Sequence, residues 1–276
     1  MDIQCIALDL DRTTLNAQGR LSNGNRKALL RAMQKGVHIV IASGRSFYTL
    51  PADVLAVPGI EYAITSNGAA VYHIPTKTCL HQYKMTADSV FQILSLGESY
   101  PIAFEAFIDG NAYAEASYVD DPVSFGASPQ AIPYIQHTRN KVFGMKSFLE
   151  KNEQKIDSLD IVVGNPCMKD EICNHLSQIS KDIYITSSVA QLIEISHKNA
   201  GKHSGLCFIK DHLNLSKQQI AAFGDGDNDV DLLKAAGIGI AMENASSKCK
   251  SAADAITKRH DEDGVAWGIK HILHID

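Results

Sequence analysis

Apolar runs alternate with helical patterns at the start of the chain. Segments such as IQCIALDL and VHIVIASG are continuously apolar, as strands buried on both faces of a parallel sheet are. Ser22 is a plausible N-cap and Gly36 a stop for the helix between them, while Pro51 disturbs a second helix. The predicted elements are a strand at 3–10, a helix at 22–36, a strand at 37–44, a helix at 45–57 and a strand at 62–72 that breaks at Asn67–Gly68.

The end of the chain resumes the same alternation. Its predicted elements are a helix at 201–213, a strand at 218–224, a helix at 229–237, a strand at 238–242 and a helix at 245–254. Strands that alternate with helices indicate a doubly wound α/β fold with a mainly parallel sheet, that is, a Rossmann-like core.

The middle of the chain has a different order of predicted helices and strands. Its predicted elements are a helix at 86–100, short strands on both sides of Asp109–Gly110, a proline-containing connection at 122–133, a strand at 159–165, a helix at 167–180 and strands at 182–188 and 191–196. This order is typical of an α+β domain. We therefore expect a core made of residues 1–83 and 197–276, into which an α+β cap domain at 84–196 is inserted.

Composition and charge narrow the function classes. The 276 residues are 45% hydrophobic and 21% charged, as in soluble globular proteins, and the net charge of −5 gives no support to a nucleic-acid or membrane-surface role. No signal peptide or apolar run of about 20 residues is visible. The six cysteines are scattered without a C-x-x-C pair, which predicts reduced thiols in a cytoplasm.

The most unusual segment is IAAFGDGDNDVDLL at 220–233, where an apolar strand runs into a dense group of aspartates. The group consists of Asp225, Asp227, Asp229 and Asp231. A calcium loop of the EF-hand type would need glycine at Val230 and glutamate at Ala236, so that reading fails. A dinucleotide fingerprint would need glycine at Asp229 and fails too. A site for a positively charged group and a plain surface turn rich in aspartate both stay open on this segment alone.

The ends of the other predicted strands carry further polar side chains that could act together with these aspartates. The first strand ends in Asp9 and Asp11, the second in the sequence ASGR at 42–45, and Lys202 opens a helix after the insert. Open α/β sheets bind ligands at the carboxyl ends of their strands. Carboxylates for Mg²⁺, a hydroxyl with backbone amides and a lysine are what magnesium-assisted phosphoryl transfer requires.

These motifs in this order resemble those of the haloacid dehalogenase superfamily of phosphohydrolases. The residues that carry the resemblance are Asp9-x-Asp11-x-Thr13, Ser43, Lys202 and the segment GDGDND at 224–229. The sequences ASGR, TSNGA and GDGDND resemble the Cof-type branch, in which a large α/β cap lies between the second and third motifs. The resemblance covers essentially the whole chain.

The resemblance implies a role for each matching position. Asp9 is expected to attack phosphorus and form an aspartyl-phosphate, and Asp11 to protonate the leaving alcohol and then accept a proton from water. Asp9, the main-chain carbonyl of Asp11 and Asp225 are expected to hold Mg²⁺. The expected phosphate-binding residues are Leu10, Ser43, Gly44, Lys202 and Asn228. Thr13, Arg45 and Asp229 are expected to support the site, Asp229 by orienting Lys202 or a metal-bound water, whereas Asp227 and Asp231 are expected to face solvent.

Two positions depart from the family pattern. Arg12 stands where the family usually has glycine, and Thr14 replaces an apolar residue. If position 12 needs a positive φ, arginine adds strain of about 1–2 kcal/mol there. Arg12 is also expected to influence substrate preference.

The resemblance implies a Mg²⁺-dependent phosphatase for a small phosphorylated metabolite, such as a sugar phosphate, with no nucleic-acid or membrane partner. A phosphomutase is one alternative, for which His137, Arg139 and Lys141 are the compact group of cap cations that could hold a second phosphate. A non-catalytic phosphometabolite-binding protein is another, although binding alone has no use for a nucleophile. Two simpler alternatives also stay open. Lys202 could be a solvated lysine without a role in the site, and Arg45 could form only a local ion pair.

Overall fold

The computed structural model describes residues 2–275 and separates into two compact units. The first unit contains the chain up to Arg45, residues Leu50–His81 and the segment from Gly201 onward; the second contains Ser46–Thr49 and Gln82–Ala200. The short segment Ser46–Thr49 thus belongs with the second unit, an assignment that the sequence did not predict.

Within residues 2–275, the two units contain fourteen strands and eleven α-helices, numbered in chain order. The strands are β1 (Cys5–Leu8), β2 (His38–Ala42), β3 (Tyr62–Thr65), β4 (Ala70–His73), β5 (Thr78–Gln82), β6 (Ile102–Ile108), β7 (Asn111–Glu115), β8 (Asn140–Val142), β9 (Ile156–Val163), β10 (Ile183–Thr186), β11 (Leu192–His197), β12 (Ile220–Gly224), β13 (Ile238–Ala241) and β14 (Ala255–Ile256). The helices are α1 (Asn23–Gln34), α2 (Ala52–Leu55), α3 (Ala87–Ser95), α4 (Ala116–Asp120), α5 (Ile132–Thr138), α6 (Met145–Lys151), α7 (Lys169–Ile179), α8 (Lys202–His212), α9 (Val230–Ala235), α10 (Ser247–Ala252) and α11 (Gly264–His271).

The first unit contains an eight-stranded sheet in the order β14-β13-β12-β1-β2-β3-β4-β5. Its pairs from β14 to β3 are parallel, and β4 turns back antiparallel to β3. β1 lies in the middle and its four residues are completely buried, which is why they read as a continuous apolar run. The predicted fold class, α/β with a doubly wound, mainly parallel sheet, is confirmed.

The helix boundaries predicted from the sequence agree with the structure at some positions and differ from it at others. The Ser22 side chain accepts a hydrogen bond from the Asn25 amide at 3.0 Å and caps α1 as predicted. The helix predicted at 45–57 is shorter than expected: a 3₁₀ turn at Phe47–Thr49 precedes the four-residue α2, and the predicted disturbance at Pro51 is present. Pro51 has extended backbone angles (φ −62°, ψ 130°) and lies immediately before α2, since proline cannot donate the hydrogen bond that would continue a helix through it.

The second unit contains a six-stranded sheet in the order β10-β11-β9-β6-β7-β8. Its pairs are antiparallel except for β7 and β8. One face packs on α3, α6 and α7 through an apolar cluster. Four short elements of this unit, α4, α5, β8 and α6, were not predicted from the sequence.

Among residues 2–275, no helix combines the length and the apolarity that crossing a membrane would require.

Candidate active site

Two adjacent parallel strands bring the two acidic motifs together. β1 pairs with β12 so that Leu8 lies opposite Phe223, and Asp9 and Asp225 therefore follow their strands at the same edge of the sheet. Asp229 lies in the turn after β12. Oxygen atoms of Asp9, Asp225 and Asp229 all lie within 4.8 Å of one another, and all three side chains are buried.

Lys202 supplies the positive charge at the centre of this group. It is the first residue of α8 and is 2% exposed. Its Nζ donates to Asp9 Oδ1 at 2.7 Å and to Asp229 Oδ1 at 2.6 Å. Asp229 Oδ2 also accepts the backbone amides of Asp225 and Gly226, each at 2.9 Å. Asp229 therefore orients Lys202 and closes its own turn, whereas the solvated-lysine reading of Lys202 is wrong.

The charges of the group perturb one another strongly. Burial raises the pKa of Asp9 well above its ordinary value, and Asp229 and Asp225 add to the rise while Lys202 offsets part of it. Burial, followed by the effect of Asp229, raises the pKa of Asp225 to about 7. Burial alone would lower the pKa of Lys202, but the attraction of Asp229 and Asp9 outweighs it and raises that pKa.

A divalent cation fits this donor set. Three buried carboxylates and one ammonium leave two negative charges without compensation inside the group. Carboxylate oxygens are hard ligands, which Mg²⁺ prefers. The oxygens of Asp225 accept longer hydrogen bonds, from Thr13 at 3.1 Å and Asn244 at 3.5 Å, whereas those of Asp229 accept bonds of 2.6 and 2.9 Å. The acidic group of Asp9, Asp225 and Asp229 could therefore hold a metal ion.

Asp11 and Arg45 form a separate ion pair beside the acidic group. The Arg45 Nε and one terminal nitrogen donate to the two Asp11 oxygens at 2.8 and 2.6 Å. The Asp11 side chain is 53% exposed and that of Arg45 14%. The local ion pair that the sequence left open for Arg45 is present and bidentate, which fixes the orientation of the Asp11 carboxylate.

Ser43 and Gly44 follow β2 at the same edge of the sheet. The buried Ser43 hydroxyl accepts the Arg45 amide at 3.2 Å, so its own hydrogen stays available to donate to a phosphate oxygen. Gly44 is half-buried. Leu10 is completely buried, and its carbonyl accepts the Leu15 amide at 2.9 Å.

The turn between β3 and β4 contributes residues that the sequence did not assign to the site. Asn228 donates through Nδ2 to Asn67 Oδ1 at 3.1 Å, and both side chains are buried. A Cβ on Gly68 (φ 88°) would lie 1.9 Å from the Gly201 carbonyl oxygen and 2.9 Å from the Lys202 nitrogen. This turn therefore packs directly against the start of α8 and supports Lys202. The TSNGA motif contained the signal, because Asn67 has the positive φ (51°) that asparagine tolerates.

Position 12 has the positive φ that its usual glycine would suit. Arg12 has φ 61° and ψ 12°, and its exposed guanidinium lies 3.7 Å from Asp225 Oδ2. Thr13 Oγ1 donates to Asp225 Oδ1 at 3.1 Å. Thr14 is also buried and donates to the Asp9 carbonyl at 2.6 Å. The threonine in place of an apolar residue thus closes the turn after β1.

The remaining aspartates of the cluster lie outside this group. Asp227 is exposed, as predicted. It accepts a hydrogen bond from Ser246 Oγ at 2.6 Å and forms an ion pair with Lys248 at 3.1 Å. Asp231 is half-buried in the first turn of α9.

Comparison with known proteins identifies the family. A profile of haloacid dehalogenase-like hydrolases matches residues 6–269. The phosphatase YwpJ of Bacillus subtilis is 30% identical, with 98% of this chain and all of that protein aligned. The 5-amino-6-(5-phospho-D-ribitylamino)uracil phosphatase YwtE of the same organism is 30% identical over 98% of both chains. A solved haloacid dehalogenase-like hydrolase from B. subtilis superposes with a TM-score of 0.84 at 27% identity, covering 98% of this chain and 100% of the other.

The family match spans nearly the whole chain, and YwpJ and YwtE align with it over 100% and 98% of their own lengths. The chain belongs to the haloacid dehalogenase-like hydrolases and is a phosphatase-type enzyme of the Cof-type branch that its motifs predicted.

Proposed function

We propose that this enzyme is a Mg²⁺-dependent phosphatase that hydrolyses a small phosphorylated metabolite, a sugar phosphate or a similar phosphomonoester. The observation that carries the proposal is the convergence of Asp9, Asp225 and Lys202, to which we assign the roles of nucleophile, metal-binding carboxylate and phosphate-binding cation. Mg²⁺ held by Asp9, the main-chain carbonyl of Asp11 and Asp225 would neutralise charge on the phosphoryl oxygens.

The residues of the chain divide the chemistry between two steps. An Asp9 oxygen attacks phosphorus, the bond from phosphorus to the leaving oxygen breaks, and Asp11 gives its proton to the departing alcohol. In the second step Asp11 takes a proton from water, which attacks the aspartyl-phosphate, releases inorganic phosphate and restores the Asp9 carboxylate. Ser43, Gly44 and Lys202 hold the phosphoryl oxygens, with Asn228 and a main-chain group of Leu10 supporting them, and Arg45 orients Asp11 between steps.

In this proposal the first unit performs the chemistry and the second selects the substrate. All the motif residues lie at 9–45, 65–69 and 202–229, in the first unit. Contacts between the second unit and a substrate would let binding energy contribute to the transition state and would exclude water. A cytoplasmic setting for a small-molecule substrate completes the proposal.

The two alternatives find less support. A phosphomutase would use the cations His137, Arg139 and Lys141 for a second phosphate, but Arg139 is buried in an ion pair with Glu105 and Lys141 pairs with Asp120. A binding protein would have no need of a nucleophile beside a buried lysine.

A screen for phosphate release tests the proposal. The purified protein is assayed with Mg²⁺ on p-nitrophenyl phosphate and on a panel of phosphorylated metabolites that includes sugar phosphates and 5-amino-6-(5-phospho-D-ribitylamino)uracil, the compound in the name of one relative. We expect release from p-nitrophenyl phosphate and faster release from at least one metabolite. No Mg²⁺-dependent release from any ester would refute the proposal.

Alanine substitutions in the second unit test its role in selection. They should lower kcat/KM for the best metabolite far more than for p-nitrophenyl phosphate, which offers few groups to recognise. Equal losses on both substrates across a set of variants, Arg139→Ala among them, would move the selection to the first unit, where Arg12 is the first residue to test.

A further inference from the structure

Asn244 links the two turns that carry the proposed metal ligands. Its side-chain Nδ2 donates to the Arg12 carbonyl at 2.9 Å and lies 3.5 Å from Asp225 Oδ2. The Arg12 carbonyl belongs to the turn after β1, one residue beyond the Asp11 carbonyl, and Asp225 follows β12. Asn244 itself lies in a third segment, the loop between β13 and α10. One amide group therefore contacts both turns, and all four residues lie in the first unit.

The orientation of the Asn244 amide is fixed from its other end. Asn244 Oδ1 accepts the His260 backbone amide at 3.0 Å, so Nδ2 has to face Arg12 and Asp225. The buried His260 ring is itself held in place, because its Nδ1 lies 3.0 Å from the Leu15 carbonyl, which can only accept a hydrogen bond. Both ends of the Asn244 amide are therefore engaged, which holds the side chain in one position.

The backbone of the loop around Asn244 is bound to the turn after β12. The Met242 amide donates to the Gly224 carbonyl at 3.0 Å. The Ser246 amide donates to the Asp225 carbonyl at 2.9 Å. Asn244 lies midway between these two bonds, so the backbone sets its position relative to Asp225. An asparagine that only shaped its own loop would bond to neighbouring residues, whereas the Asn244 side chain bonds to residues 232 and 16 positions away.

The turn after β1 needs such support because of its backbone conformation. Arg12 has φ 61° and ψ 12°, angles that glycine adopts freely and that strain an arginine. The hydrogen bond from Asn244 to the Arg12 carbonyl holds this conformation, and the Asp11 carbonyl lies one peptide unit earlier in the same turn. If the turn relaxed, the Asp11 carbonyl and the Asp225 carboxylate would lose their fixed separation.

We propose that Asn244 is a positioning residue for the metal site, where it holds the Asp11 carbonyl and the Asp225 carboxylate at a fixed separation. This inference rests on the proposed Mg²⁺-dependent function and adds to it a residue outside the motifs that carry the family resemblance. Residues that orient metal ligands commonly change metal affinity by about 10–100-fold when they are replaced. The loss of Asn244 should weaken Mg²⁺ binding without removing a group that reacts.

Calorimetric titration of the metal-free protein with Mg²⁺ tests the proposal without relying on turnover. We expect Asn244→Ala to bind Mg²⁺ at least about tenfold more weakly than wild type. Asn244→Ser should do the same, because one hydroxyl cannot replace both ends of the amide, and it keeps the test decisive where alanine unfolds the protein. Asn140→Ala is the matched control and should keep wild-type affinity, because Asn140 Nδ2 donates to the Ala112 carbonyl at 3.0 Å in the second unit.

Activity measured against Mg²⁺ concentration separates positioning from a general loss of structure. With p-nitrophenyl phosphate, the Asn244 variants should need about tenfold more Mg²⁺ for the half-maximal rate. Excess Mg²⁺ should restore most of kcat, while KM for the ester stays near that of wild type. A purely structural role would lower the melting temperature and kcat at every Mg²⁺ concentration and leave the Mg²⁺ affinity unchanged.

The outcomes separate this proposal from the proposed function. Wild-type Mg²⁺ affinity in both Asn244 variants overturns the positioning role and leaves the proposed function standing. A control variant that loses as much affinity as the Asn244 variants overturns the role too. If wild type binds no Mg²⁺, the proposed metal dependence fails, and the role of Asn244 fails with it.

Discussion

Replacing Asp225 by asparagine should stabilise the metal-free protein while removing a proposed metal ligand. Asp225 is 7% exposed, and burial, reinforced by Asp229, raises the pKa of its carboxyl from 3.8 to about 7. Because the folded-state pKa lies above the unfolded one, the ionised carboxylate opposes folding. The stability associated with this group is complete below about pH 4 and is lost as the pH rises through about 7.

The size of the effect follows from that shift. A difference of about 3 pKa units corresponds to about 4 kcal/mol of unfolding free energy at pH 8 and to less than about 1 kcal/mol at pH 4. Asparagine removes the charge but keeps an oxygen that can accept the hydrogen bond from Thr13. It also loses the attraction of Arg12 at 3.7 Å, which is weak because that guanidinium is exposed. We therefore expect a net gain of about 2–4 kcal/mol at pH 8.

Urea denaturation in EDTA, followed at pH 8 and pH 4.5, measures this gain. Asp227→Asn is the control, since Asp227 belongs to the same motif but is exposed, and it should shift stability by about 0.5 kcal/mol or less. Added Mg²⁺ should stabilise wild type and leave Asp225→Asn unchanged. A variant that is no more stable than wild type at pH 8, or one whose gain is the same at both pH values, would refute the electrostatic account of this site.

Three further outcomes test the site. Asp9→Asn should keep the fold by circular dichroism and lose more than about 99% of turnover, since removing a nucleophile costs several orders of magnitude; higher residual activity would mean that another residue attacks. EDTA should stop phosphate release, Mg²⁺ should restore it and Ca²⁺ should restore it poorly because its ligand geometry is looser; full activity in EDTA would exclude a metal requirement. Gly68→Ala should cost more than about 2 kcal/mol and lower kcat, because its Cβ would meet the Gly201 carbonyl at 1.9 Å. Gly36→Ala, with a similar φ of 82° and open space, should cost about 1 kcal/mol and spare kcat.

The parts of the fold that the sequence predicted are those where one local signal dominates. β1 and β12 are buried on both faces, so every residue had to be apolar, and their positions could be read directly. The helix at 45–57 is shorter than predicted because its apolar pattern continued across Pro51, whose backbone breaks the helix. The elements α4, α5 and α6 have five to seven residues each, which is too short for helical periodicity to stand out.

The acidic site was predictable in its residues but not in all of its partners. Motif spacing identified Asp9, Lys202 and Asp225, since parallel strands place their carboxyl ends along one edge. The link between Asn228 and Asn67 joins positions 161 residues apart, and no local pattern encodes such a pair. The bidentate pair of Asp11 and Arg45 was equally out of reach, because a single sequence does not specify the rotamers of two partly exposed side chains.

The central position of β1 has a consequence for the order in which the chain folds. Its two neighbours are β2, about 30 residues later, and β12, more than 200 residues later. On a ribosome, Asp9 and Ser43 emerge early, but the strand that completes their sheet is made only after the whole segment Gln82–Ala200. That segment holds all six strands of its own sheet and its own apolar cluster, so it can fold while the first unit still waits for β12. Nascent chains released before about residue 220 should therefore contain a folded second unit and a strongly apolar β1 whose edge toward β12 is unpaired, which is the kind of exposed strand edge that chaperones bind.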